Sequence, residues 1–64
     1  MFTAEIKNLE NMISKCHSIG GAVLLDYSDY LNDQLCKMKL ANDQEPTPSE
    51  YAARRRFYAK YDRI

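Results

Sequence analysis

Taken at alternating steps of three and four, Ile6, Leu9, Ile13, Cys16 and Gly20 fall on one stripe, flanked by Met12 and Ile19. An apolar face with that period predicts an amphipathic helix over Thr3 to Ile19. Thr3 is the expected N-cap. Glu5 in the first turn meets the positive end of the helix dipole, and Lys15 and His17 lie near the other end. Gly20 and Gly21 then stop the helix, because glycine accepts the left-handed backbone that commonly closes one.

A second stripe follows at once. Leu24, Tyr27, Leu31, Leu35 and Met38 continue at helical spacing, with Val23, Tyr30 and Leu40 at the margins, which predicts a helix from about Ala22 to Asn42. A strand over Gly21 to Leu25 competes for the same residues, but the polar, helix-compatible continuation through Asp33, Gln34 and Lys37 favours one long helix. A connection this short makes the two helices antiparallel neighbours. Cys16 then lies about one turn from the hairpin tip and Cys36 about four turns from it, an axial separation on the order of 15 Å. A disulfide needs Cα atoms within about 7 Å, so the hairpin excludes one.

The run Asn42 to Thr47 is polar and punctuated by Pro46, as a linker should be. Thr47-Pro48-Ser49-Glu50 then combines an N-cap threonine, proline at the first helical position and glutamate three residues after the cap. This capping box predicts a third helix from Pro48 to about Asp62. Its apolar stripe is narrow, made of Ala53, Phe57, Tyr61 and Ile64, with Tyr51 and Tyr58 on an adjacent strip. The expected fold is therefore all-α. It comprises an antiparallel hairpin over 3–42, a linker over 43–47 and a basic helix over 48–62, together one small domain spanning 1–64 and completed as a bundle by dimerisation.

Charge changes this picture, because a net charge of zero conceals two opposed halves. Residues 1–47 carry four lysines against seven acids, a net of −3, and residues 48–64 carry five cations against two acids, a net of +3. Asp26, Asp29 and Asp33 form an acidic ridge along the second helix. Arg54, Arg55, Arg56, Lys60 and Arg63 spread around the third. Two arrangements follow: the third helix docks its Phe57/Tyr61 stripe on a hairpin, its own or a second subunit's, with arginines beside the ridge, or it presents arginines and tyrosines outward.

Length matters next. A 64-residue chain buries only roughly 60% of the surface its unfolded form exposes, and such chains usually add disulfides, a metal or self-association. Two cysteines make no disulfide framework. Cys16, His17 and Cys36 are the only zinc-type ligands and lack the paired spacing of zinc sites, so no metal or cofactor is expected and the cysteines are taken as small buried hydrophobes. Self-association remains, and a homodimer is the expectation. The amphipathic N-terminus has no leader-peptide pattern, and the longest apolar run, Ala22 to Leu25, is far too short for a membrane. A reducing, cytoplasmic setting is expected.

Catalysis finds no support, since His17 is the only histidine and adjoins the turn rather than a carboxylate, serine or cysteine able to share a proton. No phosphate loop, dinucleotide fingerprint or metal-hydrolase motif occurs. Ser28, Leu31 and Asn32 resemble the Ser-x-x-Leu-Asp stretch of small two-helix sporulation phosphatases. Asn32, however, stands where that pattern has aspartate, and the C-terminal third has no counterpart in it, so no family is taken from the resemblance. Arg54, Arg55, Arg56, Tyr58, Lys60 and Arg63 match the residue types that dominate protein interfaces, and Asp26, Asp29 and Asp33 would imitate phosphates towards a partner that binds nucleic acid. The expectation is a small non-catalytic regulator or inhibitor that covers a protein partner's functional surface, by analogy an anti-repressor or anti-defence protein of phage or mobile-element type. Direct nucleic-acid binding by the basic helix is the alternative.

Overall fold

The computed structural model describes residues 2–61. The described residues form three helices, α1 (Thr3–Ile19), α2 (Ala22–Ala41) and α3 (Pro48–Tyr61), and no strand. The all-helical expectation is met, and the strand considered over Gly21 to Leu25 does not form. The helix α1 departs from its expected start. Thr3 is already helical, Phe2 holds the cap position, and no side chain caps the turn. The expected extension of the third helix to Asp62, the candidate residue Arg63 and the stripe position Ile64 lie outside the described residues.

Gly20 and Gly21 build the hairpin turn with φ of 80° and 93°. The Gly20 N–H donates to the Cys16 carbonyl at 2.9 Å, closing α1. No neighbouring atom crowds either glycine, so it is the left-handed backbone, not space, that calls for them. Cross-helix contacts set the direction: His17 meets Ser28 near the turn and Lys39 meets Glu10 at the far end. The pair is antiparallel.

The far end of α2 closes more tightly than its composition suggests. Asp43 takes a left-handed φ of 56°, its N–H donates to Leu40 O at 3.2 Å, and Gln44 N donates to Lys39 O at 2.7 Å. That double closure is a Schellman motif in which aspartate occupies the position glycine usually takes. It turns the chain back, and Pro46 in the connection that follows is buried. The capping box then forms as expected: Glu50 N donates to Thr47 Oγ1 at 3.2 Å and Thr47 N donates to Glu50 Oε1 at 2.9 Å. Two orphan amides are thereby satisfied at the start of α3.

The central element is α2. It packs on α1 along one side and on α3 along another, while α1 and α3 do not pack on each other. The core is correspondingly small: Ile6 and Cys16 from α1, Leu31, Leu35 and Cys36 from α2, and Ala53 from α3. Four polar residues of α2 are buried with them, namely Ser28, Asp29, Asn32 and Asp33. The apolar stripe seen in the sequence accounts for the α1 side only. Met12, Ile19 and Tyr27, placed on or beside core stripes, are exposed, Ile19 by 75%; α3 packs on α2 and not on α1, so it covers no part of the α1 stripe. No helix of the described residues is long and apolar enough to cross a membrane.

Candidate functional site

The second buried side of α2 is charged. Asp33, Asp29 and Asp26 succeed one another along it, and the antiparallel α3 sets Arg54, Arg56 and Lys60 against them in reverse order. Arg56 grips Asp29 with two donors, Nε 3.4 Å from Oδ2 and Nη2 3.2 Å from Oδ1. Forked pairs of this kind fix orientation as well as distance. Asp33 is only 2% exposed; Lys37 approaches its Oδ2 at 3.2 Å and Arg54 Nε its Oδ1 at 3.2 Å. The Arg54 contact is not aligned as a hydrogen bond, so this oxygen, shut away from solvent, is neutralised by charge without a donor aimed at it.

These rungs are unequal. Asp26 and Lys60 are each about half exposed, and a pair so well solvated contributes at most about 1 kcal/mol. Around Asp33 the outcome is different, because an unpaired buried carboxylate costs several kcal/mol. At the far end, Lys39 donates to both carboxylate oxygens of Glu50 at 2.9 Å and lies 3.8 Å from Glu10. One ammonium therefore joins all three helices.

Beside the ladder runs a chain of rings. Tyr27 stacks on Tyr30 at 5.9 Å, Tyr30 meets Phe57 at 5.7 Å, and Phe57 touches Tyr58 at 5.3 Å and Tyr61 at 4.7 Å. Separations of this size suit offset and edge-on aromatic contacts. Phe57 is half-buried at the hub, whereas the four tyrosines are exposed. Val23, Tyr27, Tyr30, Tyr61 and Asp26 line a shallow depression of about 330 Å³ near the hairpin tip, and Val23 is 81% exposed. Sequence reasoning missed this face, since its residues were divided between the apolar stripe of one helix, its margins and the docking stripe of another. Three of the chain's five tyrosines line this depression, and the tyrosine share of the aromatic residues was the available signal.

Arg54, Arg56 and Lys60 point to the acidic ridge, so the two halves of the bipolar chain face each other rather than standing apart. Arg54 also lies over the Tyr58 ring, 5.6 Å from its centre. Its partial burial works against the charge, but the Tyr58 hydroxyl and the Asp33 carboxylate outweigh it and raise the pKa further. Arg55 is exposed and makes no ion pair with the described residues. Arg63 lies outside them.

One expectation about chemistry is corrected. His17 is not without a proton-sharing neighbour, because the hairpin brings its Nε2 within 2.9 Å of Ser28 Oγ. The spacing of 11 residues across a turn hid the pair. Ser28 is 1% exposed, so its hydroxyl is held inside the α1–α2 contact. Both cysteines are buried and free, and no cluster of metal-ligating side chains occurs among the described residues.

Burial raises the Cys36 thiol pKa, the nearby Arg54 opposing it. The native protein is expected to resist iodoacetamide at Cys36 until it unfolds, checked by mass spectrometry with and without denaturant. Stability should fall above about pH 8.5, where a free thiol ionises. The folded state holds its proton to higher pH than the unfolded chain, so this contribution is complete below the unfolded pKa and is lost as pH rises through the folded one.

Set against known families, curated proteins and solved structures, the chain gives no significant match.

Proposed function

We propose that the protein is a small non-catalytic regulator that binds a protein partner through the outer side of α3 and covers that partner's functional surface, working as a homodimer in the cytoplasm. One observation carries the reading: α3 is held from inside by its ion pairs while Arg55 and Tyr58 face solvent, with Arg54 laid over the Tyr58 ring. Tyrosine and arginine are the residue types that dominate binding hot spots, and a presented side chain already fixed by its neighbours loses less freedom on binding. The pairing of the acidic ridge with α3 argues against its use as a phosphate mimic while the arm is docked. It equally weakens direct nucleic-acid binding, because most of the basic helix is already neutralised.

The test is affinity capture from host lysate with and without nuclease, comparing the wild-type chain with Arg55→Glu and Tyr58→Ala. A protein retained by the wild type, lost by both variants and indifferent to nuclease supports the reading. Retention that vanishes with nuclease, or that neither substitution disturbs, would sink it.

A further inference from the structure

We propose that the tyrosine-rich face near the hairpin tip, made by Val23, Tyr27 and Tyr30 of α2 and Tyr61 of α3, is the surface through which two copies of this chain pair about a two-fold axis. The proposal rests on the homodimer reading and assigns it a face; the Arg55 surface is separate from it.

The first argument is the balance of apolar side chains. Among the described residues six hydrophobic ones are buried, whereas nine large ones remain at least 36% exposed. A chain this short rarely stabilises itself on so small a core, and a contiguous exposed apolar face usually marks an interface. The four residues named are 40–81% exposed and surround a single depression, so they can be covered together by one partner surface.

The second argument concerns which partner. In a two-fold interface the same patch meets itself, so it must be complementary to its own copy. A rim of one sign would repel its image. Here Asp26, which lines the depression, is ion-paired with Lys60 of its own chain and both stay about half exposed, so the edge of the patch carries both signs and a half turn can bring the acid of one copy to the base of the other. The zero net charge of the whole chain removes long-range repulsion between copies. Aromatic rings that already contact one another through Tyr30 and Phe57 present a pre-ordered surface, which limits the entropy lost on association.

The experiment is light scattering of the full chain across micromolar concentrations, with helicity followed by circular dichroism. The wild type should scatter as a dimer, and Tyr27→Glu and Val23→Glu, both at exposed positions, should halve the mass while keeping the helical signal. Asp26→Lys and Lys60→Asp should each be monomeric alone, and an equimolar mixture of the two should regain the dimer mass, because the swapped charges then complement each other. A wild type that stays monomeric up to about 100 µM overturns both the proposal and the homodimer reading. A wild-type dimer that survives Tyr27→Glu and Val23→Glu, or charge variants that fail to pair on mixing, overturns the assigned face alone.

Discussion

Leu35→Ala should remove most of the protein's folding stability. Leu35 is 1% exposed and lies on the floor between the flanking helices, lining a groove with Ile13 of α1 and Ala53 of α3. Truncating a buried leucine costs about 2–5 kcal/mol, the cavity included. A single core of this size rarely supplies more than about 3–5 kcal/mol of net stability, so one substitution consumes most of it. Thermal melting by circular dichroism is the measurement. A loss of about 2 kcal/mol in so short a chain lowers the midpoint by roughly 8–16 °C, and a midpoint within a few degrees of wild type would show that Leu35 is not central to the core.

Arg54→Gln is expected to release α3 from α2. The substitution leaves Asp33 buried with Lys37 as its remaining cation, and Lys37 is itself exposed, its pKa raised chiefly by the hydrogen bond to Asp33. Removing one partner of a fully buried pair costs about 3–5 kcal/mol. Arg54 keeps a side-chain exposure of 29%, which places the loss nearer about 2 kcal/mol. Two comparisons separate this from a generic loss of charge. Adding Asp33→Asn should recover part of the stability, because the stranded carboxylate is gone. Arg55→Gln should leave stability within about 0.5 kcal/mol of wild type, since Arg55 makes no ion pair with the described residues. Near-ultraviolet circular dichroism reports the docking through the Phe57 and tyrosine contacts. An Arg54→Gln protein with wild-type stability and unchanged aromatic signal would mean that the ladder does not hold the arm.

Arg54 and Arg55 take different structural parts in α3. Neighbours in sequence lie about 100° apart around a helix, so one arginine enters the α2 contact while the next faces solvent. A triple substitution of Arg54, Arg55 and Arg56 would therefore mix two effects, undocking the arm and removing the presented charge. Single substitutions keep them apart.

Local signals made the elements readable. Two glycines with no room for another helical turn between stripes imposed the hairpin, and threonine, proline and glutamate at fixed offsets imposed the start of α3, because each device acts over a few residues and needs nothing from the rest of the chain. The closure at Asp43 escaped notice because aspartate seldom takes that position, and the missing cap at Thr3 because a one-residue shift of a helix start leaves the stripe unchanged.

What periodicity determined was the α1 face of α2, since apolar side chains buried against apolar side chains repeat visibly. Only the tertiary structure decided the other side. There Asp29, Asp33 and Asn32 are buried, and a carboxylate reads as a surface residue until a guanidinium from another helix is brought to it. The bipolar charge pattern announced that the two halves could meet, but which arginine would pair and which would remain outside depended on the angle at which α3 crosses back. The tyrosine-rich face arose in the same way, from two helices each contributing rings that neither stripe alone marked as a surface.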